Sequence, residues 1–361
     1  MKETCNRPIL LSRSLSYWRW TQYGVLLLGM ALFITFFYFP DLGLNIMWNG
    51  LIPIAPVLLV FVPGLWRNIC PMATLSLIPR LFGFSARRAL PRHTAAWLSL
   101  IGLAGLFVIV PLRHLTLDTN APLTALMIGL SALLALSMGM AFEWRSGWCN
   151  ALCPIHPVEK LYGHTPLITL PNVRCDECGK CSKPCADSRH AMNPTITGSS
   201  HIEKLVGHFI VGTFVGFIWG WNRLPDFHSS VSVPEMVAAY AWPYGGGLVT
   251  LAIYTVVYRW ICQSAAERTL LVKCFSTAAV CMYYWYRIPA LIGFGPNPGT
   301  GMLLDLSREL PLFPLFSHIL TTSIFIWFML LRKSGGSSWT TRPILMNSSI
   351  SNSHLKIQVG Q

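Results

Sequence analysis

The sequence predicts an all-α integral membrane protein with about eight transmembrane helices and a small cysteine-rich segment on the cytoplasmic side. Three observations predict it. Of 361 residues, 53% are hydrophobic and only 11% charged, where soluble domains carry about 25% charged residues. The apolar residues gather in uncharged runs near the roughly 20 residues that cross a hydrocarbon core. The basic residues collect in alternate connecting segments, as the positive-inside rule requires.

The first four spans are read at Trp20–Pro40, Leu42–Trp66, Thr94–Leu112 and Thr119–Phe142, giving an N-terminal membrane domain over 1–142. The first follows 19 largely polar residues and shows no small-residue cleavage site, so it reads as an anchor. A connection of 62 residues, 143–204, then interrupts the membrane pattern. Connections of that length are usually functional. Spans at Leu205–Asn222, Met236–Tyr258 and Leu310–Leu331, with an eighth at Thr269–Tyr286, make a C-terminal membrane domain over 205–331. The eighth holds Lys273 near one end, where a long side chain reaches the interface. Residues 332–361 are rich in Ser, Gly and Asn and read as a disordered cytoplasmic tail.

With the N-terminus cytoplasmic, 23 of the 27 Lys and Arg residues fall inside; Arg113, Arg223, Arg287 and Arg308 fall outside. That division places both termini in the cytoplasm and needs the eighth span to keep the basic tail there. It also accounts for the net charge of +13 without nucleic acid. The 14 Trp and 11 Tyr suit interfacial belts.

Seven of the 11 cysteines lie between Cys70 and Cys185, all on the cytoplasmic side of this topology. Thiols there are kept reduced, so clustered cysteines point to metal ligation rather than disulfides. The central run, Cys175-x2-Cys178-x2-Cys181-x3-Cys185, has the bacterial ferredoxin spacing. Three thiolates two residues apart let a tight loop wrap one corner of a cubane, and Gly179 permits close backbone approach to the sulfides. Upstream, Cys149-x3-Cys153-Pro154 repeats the second half of such a run, and Cys70-Pro71 gives a further Cys-Pro. Crossed ligation assigns one [4Fe–4S] cluster to Cys175, Cys178, Cys181 and Cys153, with Cys185 the other candidate for the fourth iron. A second cluster on Cys149, Cys185 and Cys70 is one ligand short. Structural zinc favours paired cysteine hooks separated by longer loops, which this run does not show. Cys70 and Cys149 also read as small buried hydrophobes, and Cys5, Cys262, Cys274 and Cys281 read as packing residues. Arg67, Arg145, Arg174, Lys180 and Lys183 lie near enough in sequence to offset an anionic cluster.

Spans leading to a Cys-Pro, then Trp148-Cys149-x3-Cys153-Pro154, then a cytoplasmic ferredoxin run resemble the membrane-bound 4Fe–4S polyferredoxins, the family of NapH, NosR and the CcoG-type proteins. The resemblance rests on Leu42–Cys185 and implies an all-α membrane protein with a small ferredoxin-like iron–sulfur segment over 143–204. It implies a bacterial inner-membrane location and exchange of electrons with a redox partner protein or the quinol pool. The chain departs from the family pattern in three ways. Trp66 stands where the first C-x3-C-P would begin, one complete ferredoxin run is present instead of two, and that run ends Cys185-Ala186.

His93, His114, His201, His208 and His318 lie near span ends, but no pair shares a span at a haem-binding spacing. His156 and Glu159 read either as partners of the cluster ligands or as solvated loop residues. Phosphate loops, dinucleotide fingerprints and nucleophile triads have no match. The preferred expectation is an electron-transfer component with its cluster at the cytoplasmic face, passing electrons to a membrane or periplasmic oxidoreductase. A redox sensor or metal-centre assembly factor is the alternative.

Overall fold

The computed structural model describes residues 12–144, 147–163, 165–168, 170, 193–195, 200–224, 232–295 and 302–332. Among them are helices and no strand; one isolated bridge pairs Arg88 with Phe142. The ferredoxin run, residues 296–301 and the tail from 333 lie outside the described residues.

Seven helices among the described residues are long and apolar enough to cross a membrane. The first is α1 (Ser12–Tyr38). It is followed by α2 (Pro40–Phe61), whose successors α3 (Pro63–Ile69), α4 (Pro71–Leu75) and α5 (Ile78–Leu81) are short. Prolines cause this fragmentation. Pro63, Pro71 and Pro79 recur every eight residues, each at the start of a helix. Pro63 and Pro71 hold Val62 and Cys70 outside the helical region, while Pro79 sits in the first turn of its helix, where a missing N–H costs nothing. The long helices α6 (Arg92–Leu117) and α7 (Ala121–Ala141) follow, then a π-turn (Trp148–Leu152) and α8 (Ile155–Tyr162). The second half holds α9 (His201–Trp221), α10 (Val233–Ile261), α11 (Ala265–Pro289) and α12 (Phe313–Leu331). The chain is a multi-pass membrane protein.

The seven apolar helices correspond to seven of the eight spans read from the sequence. The eighth is formed as α11 and packs against α9 and α12, but its first turns carry Glu267, Arg268 and Lys273. Those charges keep it below the apolarity of the other seven.

Packing is closest between α9 and α10. Gly216 lies against the Gly246 carbonyl and Gly220 against that of Trp242, so any Cβ there would strike backbone. Small residues four apart give helices close approach where lipid supplies no hydrophobic drive. The largest core cluster joins α2, α6, α8, α9, α11 and α12 through Leu59, Leu103, Leu161, Phe217, Val280 and Phe328.

Two polar belts mark the ends of the bundle. At one end, Arg113 lies between the Trp48 and Trp221 rings, 4.8 and 5.1 Å from their centroids, and pairs with Asp118 at 2.6 Å. Arg287 donates to the Trp48 carbonyl at 2.8 Å in the same belt. At the other end, Arg92 pairs with Glu203 at 3.1 Å, while Glu203 also completes a capping box with Ser200. The 21 residues from Arg92 to Arg113 separate the belts by about 32 Å at 1.5 Å per residue, close to the thickness of a hydrocarbon core.

Candidate thiolate site

The two Cys-Pro pairs form the same local structure twice. Cys70 ends α3 with φ −56° and ψ 118°, and Pro71 opens α4. Cys153 ends the π-turn with φ −62° and ψ 120°, and Pro154 leads into α8. The following proline forbids helical geometry at each cysteine and imposes the extended one observed. Each cysteine amide closes the preceding turn on a tryptophan carbonyl: Cys70 on Trp66 at 3.0 Å, Cys153 on Trp148 at 2.9 Å. Each cysteine carbonyl accepts from the next helix, Cys70 from the Thr74 amide at 3.1 Å and Cys153 from that of His156 at 3.2 Å. The backbone is thereby fixed on both sides of each thiol.

A buried ion pair joins the two turns. Arg67, three residues before Cys70, donates through Nε to Oε1 of Glu159, six residues after Cys153, and both side chains are under one-tenth exposed. On the same segments Asn68, Asn150, His156 and Lys160 are also buried, Lys160 completely. Of the two readings for His156 and Glu159, the solvated one is overturned: both face the interior beside the Cys-Pro turns.

The structure brings Cys70 and Cys153 within electrostatic reach of one another. Both cysteines and Cys149, inside the π-turn, are half-buried. Cys175, Cys178, Cys181 and Cys185 lie outside the described residues. Among the described residues, no three His, Cys, Asp or Glu side chains converge as a metal site. The donor chemistry of the two cysteines is that of soft thiolate ligands.

The chain leading to the ferredoxin run is held against the same region. Thr165 donates to the Phe328 carbonyl at 3.3 Å and the Leu167 amide to that of Phe61 at 2.7 Å. The Leu170 carbonyl oxygen passes so close to α3 that a Cβ on Gly64 would meet it at 2.7 Å. Beyond the run, Tyr258 of α10 donates to the Pro194 carbonyl at 2.8 Å.

The remaining sites read from the sequence are dispersed. His93 is exposed and meets Trp97, His114 bonds to the Trp221 carbonyl, His208 to Thr255 and His318 to the Trp285 carbonyl. Cys262 and Cys281 are buried and Cys274 is exposed. Sequence reasoning missed the Arg67–Glu159 pair, which has no local signature across 92 positions. It also missed the burial of Lys160. The signal available was the apolar company of that lysine, between Val158 and the Leu161-Tyr162 pair.

Comparison with known proteins gives one informative match. Over 192 aligned residues the chain is 25% identical to the methylamine utilization ferredoxin-type protein MauN of Methylorubrum extorquens, covering 51% of this chain and 61% of that protein. The chain thus spans less than two thirds of that relative's length. No protein-family model matches it, and no solved structure does.

Proposed function

We propose that this chain is a membrane-anchored iron–sulfur electron carrier. In this reading Cys175, Cys178 and Cys181 hold three irons of a [4Fe–4S] cluster and Cys153 the fourth, with Cys185 nearby in the same run. The observation that carries it is the joining of the two Cys-Pro turns by Arg67 and Glu159, in a chain whose sequence also holds a run with ferredoxin spacing. Similarity to a ferredoxin-type protein supports the same chemistry.

Cys175 follows Leu170 by five positions, a reach of at most about 18 Å. An anionic cluster beside buried Arg67 and Lys160 gains the opposite charge it needs in a poorly solvated site. The cluster supplies one-electron exchange; the protein's part is to set its potential and present it to partners.

The distribution of Lys and Arg supports an orientation with both termini and the ferredoxin run toward the cytoplasm, in a bacterial inner membrane. Electrons then enter from a soluble donor or quinol and leave to a membrane or periplasmic oxidoreductase. Anaerobic purification followed by iron and acid-labile sulfide analysis tests the reading. Four of each per chain, with a paramagnetic signal on reduction, is the expected result for one cubane. A colourless protein loaded with zinc overturns it.

A further inference from the structure

The segments bearing the Cys-Pro pairs were expected outside the membrane, yet they pack against the middles of long helices. Leu152, immediately before Cys153, lies against Gly102 of α6, where a Cβ would stand 2.5 Å from the Leu152 carbonyl oxygen. Gly102 is ten residues from Arg92 and eleven from Arg113, the charged residues of the two belts. That places it about 15 Å from one belt and 16 Å from the other. One turn away, the Ser99 hydroxyl donates to the Asn150 carbonyl at 3.5 Å.

Cys70 occupies the corresponding place on α1. Its neighbour Pro71 touches Gly29, where a Cβ would lie 3.5 Å from the proline Cβ. Within the apolar stretch Tyr17–Tyr38, Gly29 is twelve residues from one end and nine from the other, about 18 and 14 Å. The Gln22 side chain donates to the Asn68 carbonyl at 2.9 Å, extending the contact along α1. Pro71 and Leu152, the chain neighbours of the two thiols, therefore each meet a long helix near its middle, while Asn68 meets α1 nearer its first end.

We infer that Cys70 and Cys153 belong to one thiolate site halfway through the bilayer, and that the redox group they serve lies in the hydrocarbon layer rather than at the cytoplasmic surface. The inference rests on the iron–sulfur reading and changes its geometry. The sequence assigned Cys153 to one cluster and Cys70 to another; the packing brings both turns to one depth and joins them through Arg67 and Glu159. Ionisable groups at such a depth are costly and mark sites of transport or redox chemistry. Arg67 and Glu159 pair between the two Cys-Pro turns, and Lys160, next to Glu159 in sequence, is completely buried. A group held at this level is about equally far from both faces, so an electron arriving from the cytoplasm has already crossed half the membrane.

The test uses the purified holoprotein in phosphatidylcholine vesicles carrying nitroxides either on the headgroup or near the end of the acyl chain. Spin–lattice relaxation of the reduced cluster should be accelerated more by the acyl-chain label. Stronger acceleration by the headgroup label overturns the depth while leaving the iron–sulfur reading intact. Absence of any cluster signal defeats that reading itself. Membership of one site is tested with Cys70→Ser and Cys153→Ser. Each should alter the same paramagnetic signal, and the double variant should lose no more iron than the worse single. Cys281→Ser, with a buried thiol elsewhere, checks that losing a core thiol leaves the signal unchanged. Unaltered signal and iron in Cys70→Ser, or losses that add, would separate the two cysteines.

Discussion

Arg67 and Glu159 are 92 positions apart in sequence, yet their side chains form an ion pair sealed inside the helix bundle. Arg67 sits on the helix that ends at Cys70, and Glu159 on the helix that begins after Cys153. Two charges withdrawn from solvent gain little net stability over an apolar pair, but loss of one partner strands the other. Their main consequence here is geometric: the pair sets the separation of two otherwise independent turns.

Glu159→Leu should therefore destabilise the protein by about 3–5 kcal/mol, whereas Arg67→Met with Glu159→Leu should recover most of that loss. Thermal unfolding in detergent reads both. Iron content should separate the effects further, since the double variant regains stability but keeps no polar link between the turns. Full iron loading in the double variant would show that packing alone sets the spacing.

The seat of the π-turn on α6 gives a second outcome. Gly102→Val pushes a side chain into the Leu152 carbonyl and displaces the turn that leads to Cys153. Iron per chain should fall several-fold while helix content by circular dichroism stays near wild type. Gly105→Val, on the same helix with nothing within 4 Å of its Cβ position, is the control and should bind iron normally. Equal losses in the two variants would point to general damage to α6.

These two sites show what the sequence made legible and what it did not. Seven helices were readable because each is a run of apolar residues between charges, and length alone decides membrane crossing. The thiol-bearing turns were readable as Cys-Pro because proline acts on its immediate neighbour. Their depth was not readable. Residues 147–163 contain His156 and Glu159, whose burial the sequence left open, and Asn150 and Lys160; the neighbouring helices bury all four. Glycines 64 and 102 gave no local hint either, since what passes over them comes from distant sequence.

The α9–α10 contact predicts a purely structural effect. At Gly216 a larger residue meets the Gly246 backbone, which cannot rotate away as a side chain can. Gly216→Leu should cost more than the about 1–3 kcal/mol typical of core overpacking, seen as a lower unfolding temperature. Gly245→Ala, with open space at its Cβ position, should be neutral or slightly stabilising. A neutral Gly216→Leu would mean that the two helices separate without penalty in the membrane.

The last outcome concerns α11. Its 25 residues extend about 37 Å, enough to cross, and its charges are confined to its ends. Glu267, Arg268 and Lys273 occupy the first turns, and Arg287 reaches the belt at the other end. Between them, Tyr284 stacks on Phe325 at 5.5 Å and Trp285 donates to Thr322 at 2.8 Å, fastening the helix along α12. A crossing by α11 puts residues 264 and 295 on opposite faces, and the crossing by α12 returns residue 332 to the face of residue 264. Alkaline phosphatase fused after Gly295 should be active and green fluorescent protein fused after Arg332 should fluoresce, because the former needs the periplasm and the latter the cytoplasm. An inactive phosphatase at Gly295 together with fluorescence there would keep α11 on one face and leave the basic tail unexplained by the positive-inside rule.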